Sequence, residues 1–169
     1  RDWSSDVCSS DLALDNVTLR FAGTRDGVAV NTGFQSRQFE VDGVHGLILA
    51  RNSHCGSSGN DAWNVHRTLS GATTYGLLVN CTSEYSGIPD PSATATTTSN
   101  NGLTIHGDVI LIDLAGHYAK SYGRTFYSIN TSKALLAGTI LEQSFGDQMY
   151  GGSFPPCEVG LGNTSQVWL

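Results

Sequence analysis

The stretch that decides the fold is Leu103-Thr-Ile-His-Gly-Asp-Val-Ile-Leu-Ile-Asp113, an alternating segment followed at once by a nearly continuous apolar one. Alternation predicts a strand with one face on the core, and a short apolar run predicts a more fully buried strand. Three further copies of this two-strand unit occur. Their alternating pairs are Phe39/Val41, Trp63/Val65 and Tyr127/Ile129, and their apolar strands are residues 46–50, 76–80 and 134–137.

The spacing of these units indicates a solenoid. The alternating pairs recur every 24 residues, except for a step of 40 residues between Trp63 and Leu103. That step contains residues 83–100, a Pro/Ser/Thr-rich stretch without a strand pattern, and removing about 16 of its residues restores the period. A period of this length built from short strands is typical of an all-β, single-stranded β-solenoid with parallel sheets. The alternative is an antiparallel sandwich, whose strands are spaced more evenly.

Three motifs support a more specific resemblance. They are Asp61-Ala-Trp-Asn-Val-His66, Ser99-Asn-Asn-Gly-Leu-Thr-Ile-His106 and Gly116-His-Tyr-Ala-Lys-Ser-Tyr-Gly-Arg124. With the coil pattern, they resemble the right-handed parallel β-helix proteins of the pectate-lyase-like superfamily, including tailspike-type proteins of phages and bacterial surfaces. The resemblance covers roughly residues 17–144 and rests on scaffold motifs. It implies a right-handed parallel β-helix and a polysaccharide ligand.

The two ends of the chain differ from its middle. Residues 1–12 resemble a translated sequencing adapter and show no strand pattern or cap, so we expect them to have no packed role. The β-helix coils are then residues 13–144, N-terminally truncated, and residues 145–169 form an irregular segment that is either a cap or the start of a further coil. Truncation exposes an unpaired coil edge, so residues 13–169 alone are expected to aggregate.

Composition limits the partners. The net charge is −6, and charged residues make up 14% of the chain against about 25% in typical domains. Such a surface lacks the basic stripe that nucleic acid requires. No apolar run reaches the roughly 18 residues of a membrane span. A surface rich in hydroxyl and amide groups suits a secreted, cell-surface or virion-associated protein that meets carbohydrate.

Polar and sulfur-containing residues recur just after the apolar strands. Asn52, Asn80 and Asp113 can hydrogen-bond the backbone at a bend and tolerate left-handed conformations, so we expect them to stack as a ladder. Cys55 and Cys81 follow successive strands and are predicted to lie near each other, as thiols or as a disulfide.

If the alternating pairs point inward, the residues beside them point outward. They form two columns: Glu40, Asn64, Thr104 and Ser128, and beside it Asp42, His66, His106 and Asn130. Carboxylates and imidazoles on neighbouring coils suit general acid–base chemistry. The candidate catalytic residues are therefore Glu40, Asp42, His66 and His106, with Asn64 as a substrate-binding residue. The alternative is that any solvent-facing column on a solenoid is polar and needs no function.

No metal site or cofactor is identified. Asp42, His66 and His106 are residue types that bind metals, but residues on successive coils of a flat face converge poorly.

A second cluster lies in a predicted loop after the third apolar strand. Its members are Asp113, His117, Lys120 and Arg124. Cationic side chains can neutralise the carboxylate of a uronic acid, so Asp113, Lys120 and Arg124 are further substrate-binding candidates. The alternative, which we favour, is a solvated turn with Tyr118 and Tyr122 packed against the coil.

Two functions follow from these patterns. The leading hypothesis is a polysaccharide-binding β-helix, with cleavage by a lyase or a glycoside hydrolase mechanism left open. The competing hypothesis is a non-catalytic shaft or adhesin, assembled as a homotrimer. Polar groups gathered on one face favour the first, and an exposed apolar stripe along a whole face favours the second.

Overall fold

The computed structural model of the chain describes residues 12–20, 24–25, 28–29, 39–42, 46–56, 61–67, 73–87, 101–145 and 157–169. These residues form strands and their connections, with no helix among them. They accordingly include no helix that is long and apolar enough to cross a membrane. The predicted all-β class is confirmed.

Three parallel sheets contain sixteen of the strands. Sheet 1 consists of β1 (Leu12–Asp15), β6 (Gly46–Arg51), β9 (Thr74–Val79), β12 (Val109–Leu114), β15 (Lys133–Ala137) and β18 (Gln166–Trp168). Sheet 2 consists of β2 (Thr18–Arg20), β7 (His54–Gly56), β10 (Thr82–Glu84), β13 (His117–Ala119) and β16 (Ile140–Glu142). Sheet 3 consists of β5 (Phe39–Asp42), β8 (Trp63–Arg67), β11 (Leu103–Gly107), β14 (Phe126–Ile129) and β17 (Val159–Leu161). The short strands β3 (Thr24–Arg25) and β4 (Val28–Ala29) form an antiparallel pair.

The order of the strands is that of a β-solenoid. The chain visits sheets 1, 2 and 3 in turn, and each new strand pairs in parallel with the strand from the previous visit. We call each such passage a coil; coil 1 contains β1, β2 and β5, and coils 2 to 5 follow. In the chain segment predicted to be irregular, β17 and β18 continue this pairing on β14 and β15. At the other end, Leu12 pairs with Ile48, so the last residue assigned to the adapter-like segment belongs to β1.

The core runs between the three sheets. Trp63, Leu103 and Ile105 are fully buried, as their inward positions in the repeat predict. The indole Nε1 of Trp63 donates a hydrogen bond to the carbonyl oxygen of Thr82, 3.0 Å away, which satisfies the one polar atom of this side chain. Successive coils therefore bury one continuous apolar column, which no single coil could bury alone.

The fourth alternating pair was predicted one residue too late. Leu103 pairs with Phe126 and Ile105 pairs with Ser128, so this step is 23 residues. Phe126 and Ser128 are fully buried, and the Ser128 hydroxyl lies 2.8 Å from that of Ser132. A serine can occupy this inward position because a buried neighbour satisfies its hydroxyl. A shift of one residue exchanges the two faces of a strand, so Tyr127 points outward.

The coils vary in length because only one corner is constant. Every connection from sheet 1 to sheet 2 has two residues, whereas the connections from sheet 2 to sheet 3 differ. Those of coils 1, 3 and 5 are long (residues 21–38, 85–102 and 143–158), and those of coils 2 and 4 are short. The predicted insertion therefore starts two residues later than expected, and its residues 88–100 lie outside the described residues.

A left-handed residue opens the constant corner of each coil. Asn16, Asn52 and Asn80 have φ values of 53°, 50° and 51°, and Ala115 and Gly138 hold the same position in coils 4 and 5. The Asn80 Nδ2 donates to the Asn52 Oδ1 at 3.0 Å. The predicted ladder is thus confirmed for Asn52 and Asn80.

Replacing Asn80 with alanine is expected to lower the free energy of unfolding by about 1–2 kcal/mol. Alanine has a Cβ that disfavours the left-handed conformation and lacks the amide that bonds Asn52. Urea unfolding followed by circular dichroism measures the loss. Asn80→Gly is the matched control, because glycine accepts this φ and loses only the amide contact. An alanine variant as stable as the glycine variant contradicts the prediction.

Candidate functional site

Sheet 3 brings the predicted catalytic residues onto neighbouring strands. Asp42 pairs with His66, and His66 pairs with His106, so these three residues hold equivalent positions on β5, β8 and β11. In the neighbouring column, Glu40 pairs with Asn64. The side chains of Glu40 and Asp42 lie outside the described residues, so their placement is known from the backbone register alone.

The last residue of each predicted column, on β14, differs from the prediction. Ile129, not Asn130, pairs with His106, and Tyr127, not Ser128, pairs with Thr104. Both corrections follow from the 23-residue step to β14. Asn130 instead starts the next connection with a φ of 63°.

The imidazoles of His66 and His106 are stacked. Their ring centroids are 6.2 Å apart and their planes differ by 10°. Both residues are half-buried. Gly107 turns the chain directly after His106 with a φ of +78°, and a Cβ at this position would lie only 2.1 Å from the Arg67 carbonyl oxygen. No other residue fits there without a backbone shift, so this glycine helps to place His106.

Asn64 is not exposed as predicted. Asn64 and Thr104 are each only 3% exposed, although they lie on the outer side of sheet 3. The Asn64 Nδ2 donates to Asp61 at 2.6 Å, and the Asn101 Nδ2 donates to both Asp61, at 3.0 Å, and Thr104, at 3.0 Å. Asp61 and Asn101 precede β8 and β11, so this buried network ties two coils together where sheet 3 begins. Asn64 is a structural residue of that network.

Asp113 is also buried, which corrects its assignment to an accessible cluster. It lies on β12, two residues before the corner, so it is not a rung of the asparagine ladder. Its Oδ1 accepts a hydrogen bond from the Tyr118 hydroxyl at 2.9 Å, and its Oδ2 accepts one from the Thr139 hydroxyl at 2.6 Å. Burial raises the pKa of Asp113, while these hydroxyls and the Gly116 amide act in the opposite direction. This carboxyl group is fully buried and bonds Tyr118, which follows the corner of its own coil, and Thr139, in the corner of the next coil.

The remaining members of the second cluster have separate partners. His117 is on β13, a strand where a loop was predicted, and its Nε2 lies 2.7 Å from a carboxylate oxygen of Glu142. Lys120 lies 3.6 Å from a Glu84 carboxylate oxygen and above the Tyr85 ring. The four residues therefore do not form one site. Tyr118 packs in the core, as the alternative interpretation expected.

Arg124 belongs instead to the outer side of sheet 3. Its guanidinium carbon lies 4.4 Å from the centre of the Tyr127 ring. Tyr127 is the residue that replaces Ser128 in the first column, so the pair sits beside the strands that carry the histidines. Sequence reasoning missed Tyr127 because the one-residue error in the repeat placed it in the core. The adjacent aromatic Phe126 was the signal that another register was available.

The three cysteines among the described residues form no disulfide. Cys55 and Cys81 are free and buried, and Cys157 is free and exposed. Burial raises the pKa of Cys55, and the nearby Cys81 adds to this rise. Cys55 and Cys81 are therefore thiols in the core, which decides between the two states left open for them.

The outer side of sheet 3 is the candidate binding site, with the stacked imidazoles and the Tyr127–Arg124 pair as its described groups. Among the described side chains, no three histidine, cysteine or acidic residues gather as a metal site. Comparison of the chain with protein families, curated proteins and solved structures gave no match.

The stability contributed by Asp113 is expected to fall as the pH rises. The pKa of Asp113 is higher in the folded chain than in the unfolded one. Its contribution to the free energy of unfolding is therefore complete below the unfolded pKa of about 4, and it is lost as the pH rises through the folded pKa. Urea unfolding of the wild type and Asp113→Asn at several pH values measures this. We expect the stability of the wild type relative to the variant to decrease upward from about pH 4. A constant or increasing difference contradicts the buried role.

Proposed function

We propose that the chain is part of a right-handed parallel β-helix of the pectate-lyase-like type, and that it binds an extracellular polysaccharide along the outer side of sheet 3. The observation that carries the proposal is the in-register row of Asp42, His66 and His106, in which the two imidazoles stack. The proposed ligand fits a secreted, cell-surface or virion-associated protein.

The strand spacing suits a long ligand. Neighbouring strands lie about 4.8 Å apart, so a polymer that crosses sheet 3 meets a new strand at regular intervals. The row places an aspartate or a histidine on each of three neighbouring strands, and these residue types bind sugar hydroxyls.

The Tyr127–Arg124 pair adds two properties that a saccharide site needs. The aromatic ring offers a flat apolar face, and the guanidinium offers a fixed fork of donors for a carboxylate. The ring holds the guanidinium 4.4 Å from its centre, which keeps the cation in place. Arg124 is therefore retained as a substrate-binding candidate that favours an acidic polysaccharide, whereas Lys120 lies beside Glu84.

Cleavage is a second step that the same row supports. Glu40 and Asp42 are on β5, next to the histidines, and a carboxylate paired with an imidazole or another carboxylate can move protons at a glycosidic bond. Hydrolysis needs two such groups, and β-elimination needs a base and a cation that neutralises the uronate. We assign Glu40, Asp42, His66 and His106 to this chemistry, with Arg124 as the cation.

A non-catalytic shaft or adhesin is the second candidate, because one observation favours it. The outer side of sheet 1 carries exposed apolar side chains on successive coils, including Tyr75, Ile112 and Leu135. A row of this kind is typical of an assembly surface. A homotrimeric shaft is one such assembly.

The direct test measures binding of the 169-residue chain to a panel of acidic and neutral polysaccharides. We expect His66→Ala and Asp42→Ala each to raise the Kd by at least about tenfold for the polysaccharide that the wild type binds. New reducing ends report cleavage by either route, and ultraviolet absorbance of an unsaturated product identifies β-elimination.

The control is His117→Ala, which removes an imidazole of the same kind from sheet 2 and should leave the Kd unchanged. Circular dichroism confirms that each variant is folded. Unchanged binding and turnover in both His66→Ala and Asp42→Ala would contradict the site assignment. A wild type that binds none of the polysaccharides favours the non-catalytic shaft.

A further inference from the structure

The outer side of sheet 1 is a continuous apolar surface. Strand residues alternate, so those next to the buried positions point outward. In register across the sheet, these outward residues are Leu47, Leu49, Tyr75, Leu77, Val79, Ile110, Ile112, Leu114, Leu135, Ala137 and Trp168. We call this set the apolar face.

The apolar face is large for a surface in contact with water. Tyr75 and Trp168 are each 51% exposed, and Ile112 is 39% exposed. Its seven largest exposed side chains together present roughly 600 Å², which is as large as the biggest apolar patch that monomers usually carry. A standard protein interface buries about 800 Å² on each partner, so these seven side chains would supply most of the area that a stable dimer needs.

Charges lie at the two ends of the apolar face and not in its middle. The Arg51 guanidinium and the Asp15 carboxylate form an ion pair of 2.7 Å at the side of coils 1 and 2. Lys133 stands at the opposite side, on β15. All six outward side chains of the central strands β9 and β12 are apolar. An apolar centre with a charged rim is the usual anatomy of a protein interface.

The outer side of sheet 2 differs from the apolar face of sheet 1, although it belongs to the same solenoid. The outer side of sheet 2 is mainly polar in the equivalent outward positions, with His54, Thr82, His117, Glu84 and Glu142, and Ile140 is its exposed apolar side chain. The same solenoid thus has a mainly polar outer sheet where that sheet meets solvent. The difference between the two sheets indicates that another surface covers the outer side of sheet 1 in the functional protein.

We propose that the apolar face binds a second copy of this chain, face to face and related by a two-fold axis. The two-fold axis runs parallel to the strands and passes between β9 and β12. The long axes of the two solenoids are then antiparallel. This arrangement brings the six central apolar side chains of each copy against those of the other and keeps the two Lys133 residues at opposite ends. A surface that is apolar at its centre is complementary to itself, and two-fold pairing closes the assembly at two copies.

The dimer leaves the candidate saccharide site untouched, because that site lies on sheet 3. It differs from a trimeric shaft in its symmetry, and it does not depend on the proposed function.

Sedimentation equilibrium of the 169-residue chain between about 1 and 100 μM tests the proposal. We expect the wild type to be a dimer in this range. Ile112→Lys places a charge at the centre of the apolar face and should weaken the dimer at least about tenfold. Tyr75→Lys should do the same from the neighbouring strand.

The matched control is Ile140→Lys, which makes the same replacement at an exposed isoleucine of sheet 2, 54% exposed. It should remain dimeric, and circular dichroism and thermal unfolding show whether each variant is folded. A wild type that stays monomeric overturns the proposal. This outcome is independent of polysaccharide binding, which is measured separately. A trimer, or an assembly that folded Ile112→Lys and Tyr75→Lys variants retain, overturns it as well.

Discussion

The two-residue corner between sheets 1 and 2 is the constraint on which the rest of the structure depends. Each corner opens with a residue in the left-handed conformation, which turns the chain within a single step. The backbone amide of that residue then bonds the next coil, as the Asn80 amide does with the Leu114 carbonyl oxygen at 2.8 Å. Because the corner has the same length in all five coils, it aligns sheet 1 with sheet 2 and allows their inward side chains to stack.

Because the corner between sheets 1 and 2 is constant, the differences in coil length occur in the other connections. The connections that differ most in length are those between sheets 2 and 3. The chain must still start sheet 3 in register after each of them, and the buried Asp61–Asn101 contact at 2.9–3.0 Å does this between coils 2 and 3. The candidate site lies on the sheet whose start is held in this way. Its histidines therefore lie on strands whose pairing this buried contact supports.

Much of the scaffold could be predicted from particular residues. Trp63, Leu103 and Ile105 mark the inward positions, and Asn52 and Asn80 mark the corner, because side-chain alternation and left-handed turns have direct sequence signatures. The prediction of β14 was wrong where two aromatic residues, Phe126 and Tyr127, stand side by side. Either of them suits a core, and the choice depends on Ser132, which satisfies the buried hydroxyl of Ser128. Asp113 looked like a corner residue for a similar reason, since its burial depends on Tyr118 and Thr139, one of them a coil away.

The sequence by itself determined the all-β class, the short strands, the inward positions of most coils and the two histidines that share a column. Local patterns carry that information, because alternation and turn chemistry act over a few residues. The tertiary structure decided which polar residues are accessible. Asp113 is buried and bonded by Thr139 of the next coil, and Asn64 is buried beside Asp61, which Asn101 of the next coil bonds. Arg124, in contrast, lies against the ring of Tyr127 on the outer side of sheet 3. It also decided that the apolar residues of β9 and β12 alternate between core and surface, since a run such as Val109-Ile-Leu-Ile112 does not state which of its two faces is covered.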